Sequence, residues 1–87
     1  MSDRLAGADI EIHVELDVSG YNCPIPLLRT KKTLAAMKAG EFLRVVATDP
    51  GSEIDFKVYT EATGHELVSF EQNSGRFIFL IRKTMRV

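Results

Sequence analysis

The 87 residues are 45% hydrophobic and 26% charged, which fits one small globular domain; a chain this short buries only roughly 60% of its unfolded surface. Eleven basic residues against twelve acidic ones leave a net charge of -1, so no bulk attraction draws the chain to nucleic acid or anionic lipid. One cysteine excludes an internal disulfide framework and a zinc site of several thiolates, no run approaches the ~20 apolar residues of a membrane span, and the start has no signal-peptide pattern, so a cytoplasmic protein without a membrane partner is expected.

Residues 1–9 are small or polar without periodicity and read as a flexible N-terminal tail, leaving 10–87 as the domain. Ile10, Ile12, Val14 and Leu16 then alternate with Glu11, His13, Glu15 and Asp17, the period of a half-buried strand, and Ser19-Gly20 punctuates its end. From Pro24 the period changes. Leu27, Thr30, Leu34 and Met37 recur at helical steps, with Leu28 and Ala35 beside them, while Arg29 and Lys32 fall on the opposite side. Gly40 is the expected stop of this helix, with Lys38 in its last turn.

Phe42 to Thr48 is β-branched and apolar on both faces, as in an interior strand covered by helices. Asp49-Pro50 predicts a helix start with Asp49 as N-cap and Pro50 at the first position, and Gly64 its end. That helix carries two apolar stripes, Phe56/Tyr59/Thr63 and Ile54/Val58/Ala62, which predict burial on two sides or an irregularity near Asp55. Strands at Glu66–Glu71 and Arg76–Arg82 around Gln72-Asn73-Ser74-Gly75 form a hairpin. The order β-α-β-α-β-β predicts an α+β two-layer sandwich: a four-stranded mixed sheet with both helices on one face.

The chemistry concentrates in Gly20-Tyr21-Asn22-Cys23-Pro24-Ile25-Pro26. Pro24 suits a first helical position and Pro26 the same turn, so Cys23 occupies or adjoins the N-cap. A thiol there faces the positive end of the helix dipole, which predicts a pKa below the ~8.5 of a free thiol. Gly20 is expected to turn the chain tightly without a side chain over the sulfur, and Pro24 and Pro26 to stiffen the loop. A free cysteine is also often a small buried hydrophobe, so position alone leaves both readings open. His13 and His65 are too few and too scattered to predict a metal site, and His65 reads as structural. Arg29 and Lys32 form a basic solvent face, either for solubility alone or for docking an acidic partner surface or RNA.

The chain resembles the TusA/SirA-like sulfur-carrier family. The likeness rests on Leu16-Asp17, Gly20, Cys23-Pro24-Ile25-Pro26, Lys32, Gly40-Glu41, Asp49-Pro50, Asp55-Phe56, Gly64-His65-Glu66-Leu67 and Leu80-Ile81-Arg82-Lys83. It implies a βαβαββ sandwich in which Cys23 takes sulfane sulfur from a donor such as a cysteine desulfurase or rhodanese. Cys23 then carries it as a persulfide, without a cofactor, to an acceptor protein in tRNA thiolation, molybdenum-cofactor synthesis or sulfur oxidation. A sulfurtransferase-type carrier is implied rather than a stand-alone catalyst. The lone thiol fits relay better than dithiol redox chemistry, which needs a resolving cysteine. Two other readings stay open: a partner- or RNA-binding regulator in which Cys23 is incidental, and a redox sensor.

Overall fold

The computed structural model describes residues 11–84; the tail expected over residues 1–9, Ile10 and the last three residues lie outside them. Six elements follow one another: β1 (Val14–Val18), α1 (Ile25–Ala35), β2 (Phe42–Ala47), α2 (Ser52–Thr63), β3 (Glu66–Asn73) and β4 (Arg76–Arg82). They form one four-stranded sheet in the order β1-β2-β4-β3, with β1 parallel to β2 and the other two pairings antiparallel. This is the mixed α+β sheet that the order of elements predicts.

Alternation decides which face is covered. Val18, Leu43, Val45, Ala47, Phe77, Phe79 and Ile81 are buried on the face toward the helices, where Leu34 and Met37 of the first helical segment and Phe56 of the second meet them. The rings of Phe56 and Phe79 stack with centroids 4.3 Å apart, worth about 0.5–1.5 kcal/mol beyond the area they bury. On the opposite face, two cross-strand ion pairs close over the strands: Arg44 with Glu15 at 3.1 Å and Arg82 with Glu66 at 2.9 Å. Phe42 and Val46 also point there. The two-sided apolar character of β2 thus reflects its central place in the sheet rather than helices on both faces.

Several boundaries move for local reasons. β1 begins at Val14 and reaches the fully buried Val18, so Ile12 and His13 precede the strand and the predicted alternation runs on one step beyond Asp17. α1 ends at Ala35, five residues short of Gly40. The buried ammonium of Lys83 donates to the carbonyl of Leu34 in the last turn of α1 and to that of Met37 two residues beyond the helix, in place of further helical turns. Leu28 and Ala35, read as flanking the inner stripe, are exposed. In α2, Phe56 and Thr60 are buried, but Ile54 and Val58 face solvent, so the second stripe is not a packing face. The helix ends as expected at Gly64, where φ is +86° and the N–H donates to the Thr60 carbonyl at 2.9 Å. The hairpin turns on Ser74 and Gly75, both with positive φ, the handedness that matches strand twist. A bulge between Leu67 and Ser69 interrupts the pairing of β3.

His65 is buried at the end of α2, where its Nδ1 accepts the Thr84 N–H at 3.2 Å. Burial first, and the Lys83 ammonium second, hold its imidazole below the ordinary histidine range. The folded chain therefore keeps His65 neutral, while the unfolded chain takes a proton below about pH 6.5. This contribution to stability is present above that pH and lost as acid is added. The gap in melting temperature between wild type and His65→Gln should be constant above pH 7 and narrow as the pH falls below about 6.5 in thermal denaturation followed by circular dichroism.

Candidate functional site

Because β1 and β2 run parallel, the loops that leave their C-terminal ends emerge side by side. The first carries Cys23 into α1, the second carries Asp49 into α2. They are tied together: the Gly20 N–H donates to Thr48 Oγ1 at 2.8 Å, and the Cys23 thiol donates to Asp55 Oδ2 at 2.8 Å. Cys23 is exposed, and a Cβ placed on Gly51, the residue that starts α2, would lie 4.0 Å from its own Cβ. The sulfur sits at the joint between two helix starts.

Pro24 occupies the N-cap of α1, with Cys23 one residue outside it. The helix start offers few donors to an anion. Pro24 and Pro26 have no N–H, and the Ile25 N–H already donates to the Asn22 carbonyl at 2.9 Å. The start of α2 is no better placed to receive a thiolate, since Glu53 and Asp55 already stand in its first turn and answer its dipole. The outcome reverses the sequence expectation: the Cys23 thiol is pushed above its ordinary pKa, not below it. Its hydrogen bond to Asp55 is the largest cause, followed by partial desolvation and by the negative charges of Asp55 and Asp49. The prolines withhold donors from the thiolate, and the Asp55 carboxylate holds the proton on the sulfur.

Other residues fall in differing places. Gly20 takes φ +86°, and a Cβ on it would meet nothing within 4 Å, so backbone conformation rather than clearance over the sulfur calls for glycine. Pro26 is fully buried, and its carbonyl accepts the Thr30 hydroxyl at 2.9 Å, so it anchors the start of α1 in the core. Asp17 supports the loop by accepting the Ser19 N–H at 2.9 Å. Asp49 is not the N-cap, which is Gly51; its Oδ2 accepts the Gly51 N–H at 3.1 Å and braces the turn before the helix. Arg29 lies over the Tyr21 ring at 4.6 Å, and Lys32 is exposed further along α1. His65 is at the far end of α2 from Cys23, beside a shallow groove lined by Lys57, Thr60, Glu61, His65 and Leu67. No group of His, Cys, Asp or Glu among the described residues is arranged to hold a metal ion, and no helix among them is long and apolar enough to cross a membrane.

Sequence reasoning passed over Asp55 as a partner of the thiol, and it misread one surface. Among the described residues, the large apolar side chains that stand exposed are Tyr21, Ile25, Leu28, Ile54 and Val58, with Ile54 69%, Val58 60% and Leu28 53% accessible. They belong to the Cys23 loop, the first turns of α1 and the first two turns of α2, the elements that follow the two loops at the thiol. The failed second stripe of α2 was the available signal: an apolar pair at i and i+4 that the core does not use.

A sequence profile described as Sulfurtransferase TusA matches residues 14–83. The sulfur carrier protein TusA of Allochromatium vinosum is 54% identical over 70 residues, which cover 80% of this chain and 92% of that protein. The TusA of Pseudomonas putida is 37% identical over 68 residues, covering 78% and 85% of the two chains. The crystal structure of a SirA-like protein from Desulfitobacterium hafniense superposes with a TM-score of 0.71 at 27% identity, covering 82% of this chain and 97% of that one.

Alkylation of Cys23 by iodoacetamide should titrate with a midpoint above the ~8.5 of a free thiol. Asp55→Asn, which keeps the shape and removes the charge, should lower that midpoint. A wild-type midpoint below the free-thiol value would contradict the geometry described.

Proposed function

Because the chain belongs to the TusA family of sulfur carriers, we propose that Cys23 is the atom-carrying residue, accepting a sulfane sulfur from a donor protein and passing it to an acceptor. The observation that supports this most directly is the setting of the thiol. It is exposed, it is the chain's only cysteine, and it lies where two helix starts meet, on elements that carry the exposed Ile25, Leu28, Ile54 and Val58.

The exchange needs no cofactor. The Cys23 thiol gives its proton to solvent, and the thiolate attacks the outer sulfur of the donor's persulfide. The donor's S–S bond breaks and its cysteine leaves as a thiolate with the bonding pair. A new S–S bond now lies on Cys23. Delivery repeats the step, with the acceptor's nucleophile attacking the outer sulfur and Cys23 leaving as thiolate. Each step needs the two proteins to bring their sulfur atoms into line, so surface complementarity supplies the rate that the pKa of Cys23 does not.

The donor envisaged is a cysteine desulfurase or a rhodanese-type protein, and the acceptor a second protein rather than nucleic acid. The open sheet face supports a protein partner, since its Arg44 and Arg82 are already paired with Glu15 and Glu66. The docking surface proposed is the rim around the thiol. Leu28 and Ile25 of α1 and Ile54 and Val58 of α2 supply apolar anchors, and Arg29 and Lys32 supply positive charge for an acidic partner. Isolated exposed apolar residues are ordinary, but a cluster around a nucleophile fits a contact surface.

Incubation with a cysteine desulfurase, cysteine and pyridoxal phosphate should add ~32 Da, one sulfur atom, to the intact protein and nothing to Cys23→Ser. Ile54→Gln and Leu28→Gln, both at exposed positions and neutral, should slow this protein-to-protein transfer at least about tenfold while leaving the iodoacetamide rate unchanged. Equal transfer rates in these variants and wild type would remove the rim from the docking surface.

A further inference from the structure

Resting on the sulfur-carrier reading, we propose that Asp55, seconded by Asp49, biases Cys23 toward delivery by stabilising the empty thiol and destabilising the loaded persulfide. The two forms differ in what they offer a carboxylate. The empty thiol has a proton and donates it to Asp55 Oδ2 at 2.8 Å. A carboxylate can only accept, so this bond exists only while sulfur holds its proton. A persulfide is a stronger acid than its parent thiol and stands as an anion near neutral pH. It has no proton to offer Asp55 and faces two negative charges instead.

The groups around the sulfur reinforce this. The charges that act on the thiol are those of Asp55 on α2 and Asp49 in the loop before it. Glu53, in the same turn, is paired with Lys57 at 2.8 Å, and on α1 the Arg29 guanidinium is held over Tyr21. With Pro24 and Pro26 lacking N–H groups and Ile25 bonded to Asn22, the α1 start offers the persulfide little compensation.

Sulfur exchange between two cysteines makes one S–S bond and breaks one, and one thiol replaces another. Electrons balance within the pair: the receiving cysteine becomes a persulfide as the giving cysteine returns to thiol. No outside oxidant or reductant sets the direction. The direction therefore follows from how well each protein holds each form, and a site that favours its empty form releases sulfur to any acceptor that does not. The same bond makes loading harder, so loading depends on a donor whose own persulfide is less stable than that on Cys23.

The test is an equilibrium measurement without a protein partner. The full chain is equilibrated anaerobically at pH 7.5 with a fixed ratio of glutathione persulfide to glutathione, and the fraction carrying one added sulfur is read from intact mass. Asp55→Asn should raise the ratio of loaded to empty protein about threefold to fivefold over wild type, the size of an exposed electrostatic interaction. Asp55→Glu, which keeps the charge, should remain nearer wild type, and Asp49→Asn, which removes the more remote charge, should give a smaller rise. The variants should also order the alkylation midpoint of Cys23 in the opposite sense, lowest in Asp55→Asn. An unchanged or lower loaded ratio in both Asn variants, with wild type taking sulfur, overturns this proposal alone. Absence of any adduct on wild type and on every variant overturns the carrier reading and this proposal with it.

Discussion

The parallel pairing of β1 with β2 is the constraint on which the site depends. Val14 to Val18 lie in register with Leu43 to Ala47, so both strands end at the same edge and both following loops start there. Each loop then becomes a helix that must return over the same face of the sheet. One pairing thus brings together residues 32 positions apart, Cys23 and Asp55, and sets two helix starts against one another. An antiparallel pair in this place would have sent the two loops to opposite ends. The antiparallel β4 adds the buried Phe77, Phe79 and Ile81 that complete the floor beneath the helices, and β3 pairs along its outer edge.

The start of α2 shows two demands met by the same residues. A helix of twelve residues gains from acids in its first turn, and Glu53 and Asp55 provide them. Asp55 lies on the side that meets Cys23, so the charge that suits the helix also governs the thiol. Glu53 turns to Lys57, an i,i+4 pair worth about 0.3–0.5 kcal/mol. Within one turn, one carboxylate serves the helix and the solvent face, and the other serves the helix and the hydrogen bond to the thiol.

Much of this was legible in the sequence. The alternation of Val14 and Leu16, the helical steps of Thr30, Leu34 and Met37, the Gly64 stop and the Ser74-Gly75 turn are local patterns, and local patterns survive folding. Cys23 stood out because proline and glycine flank it. What stayed hidden depends on residues distant in sequence. Nothing near Gly40 shows that Lys83 will take the carbonyls of Leu34 and Met37 and end α1 early. Nothing around Cys23 shows that Asp55 will accept its proton, so an argument from the helix dipole alone pointed the wrong way. The apolar pair Ile54 and Val58 was visible, but periodicity cannot say whether a stripe meets the core or a partner.

The buried Lys83 has a mechanical consequence for α1. The helix that begins beside the thiol is clamped at its other end by an ammonium from the residue after β4, while Pro26 is sunk in the core at its beginning. A rod fixed at both ends resists tilting as well as sliding. A force on Leu28 or Arg29 then loads the whole sheet through β4 instead of swinging one helix. The thiol that precedes the helix keeps its height and angle above the sheet, as a tool held in a vice keeps its edge in one place.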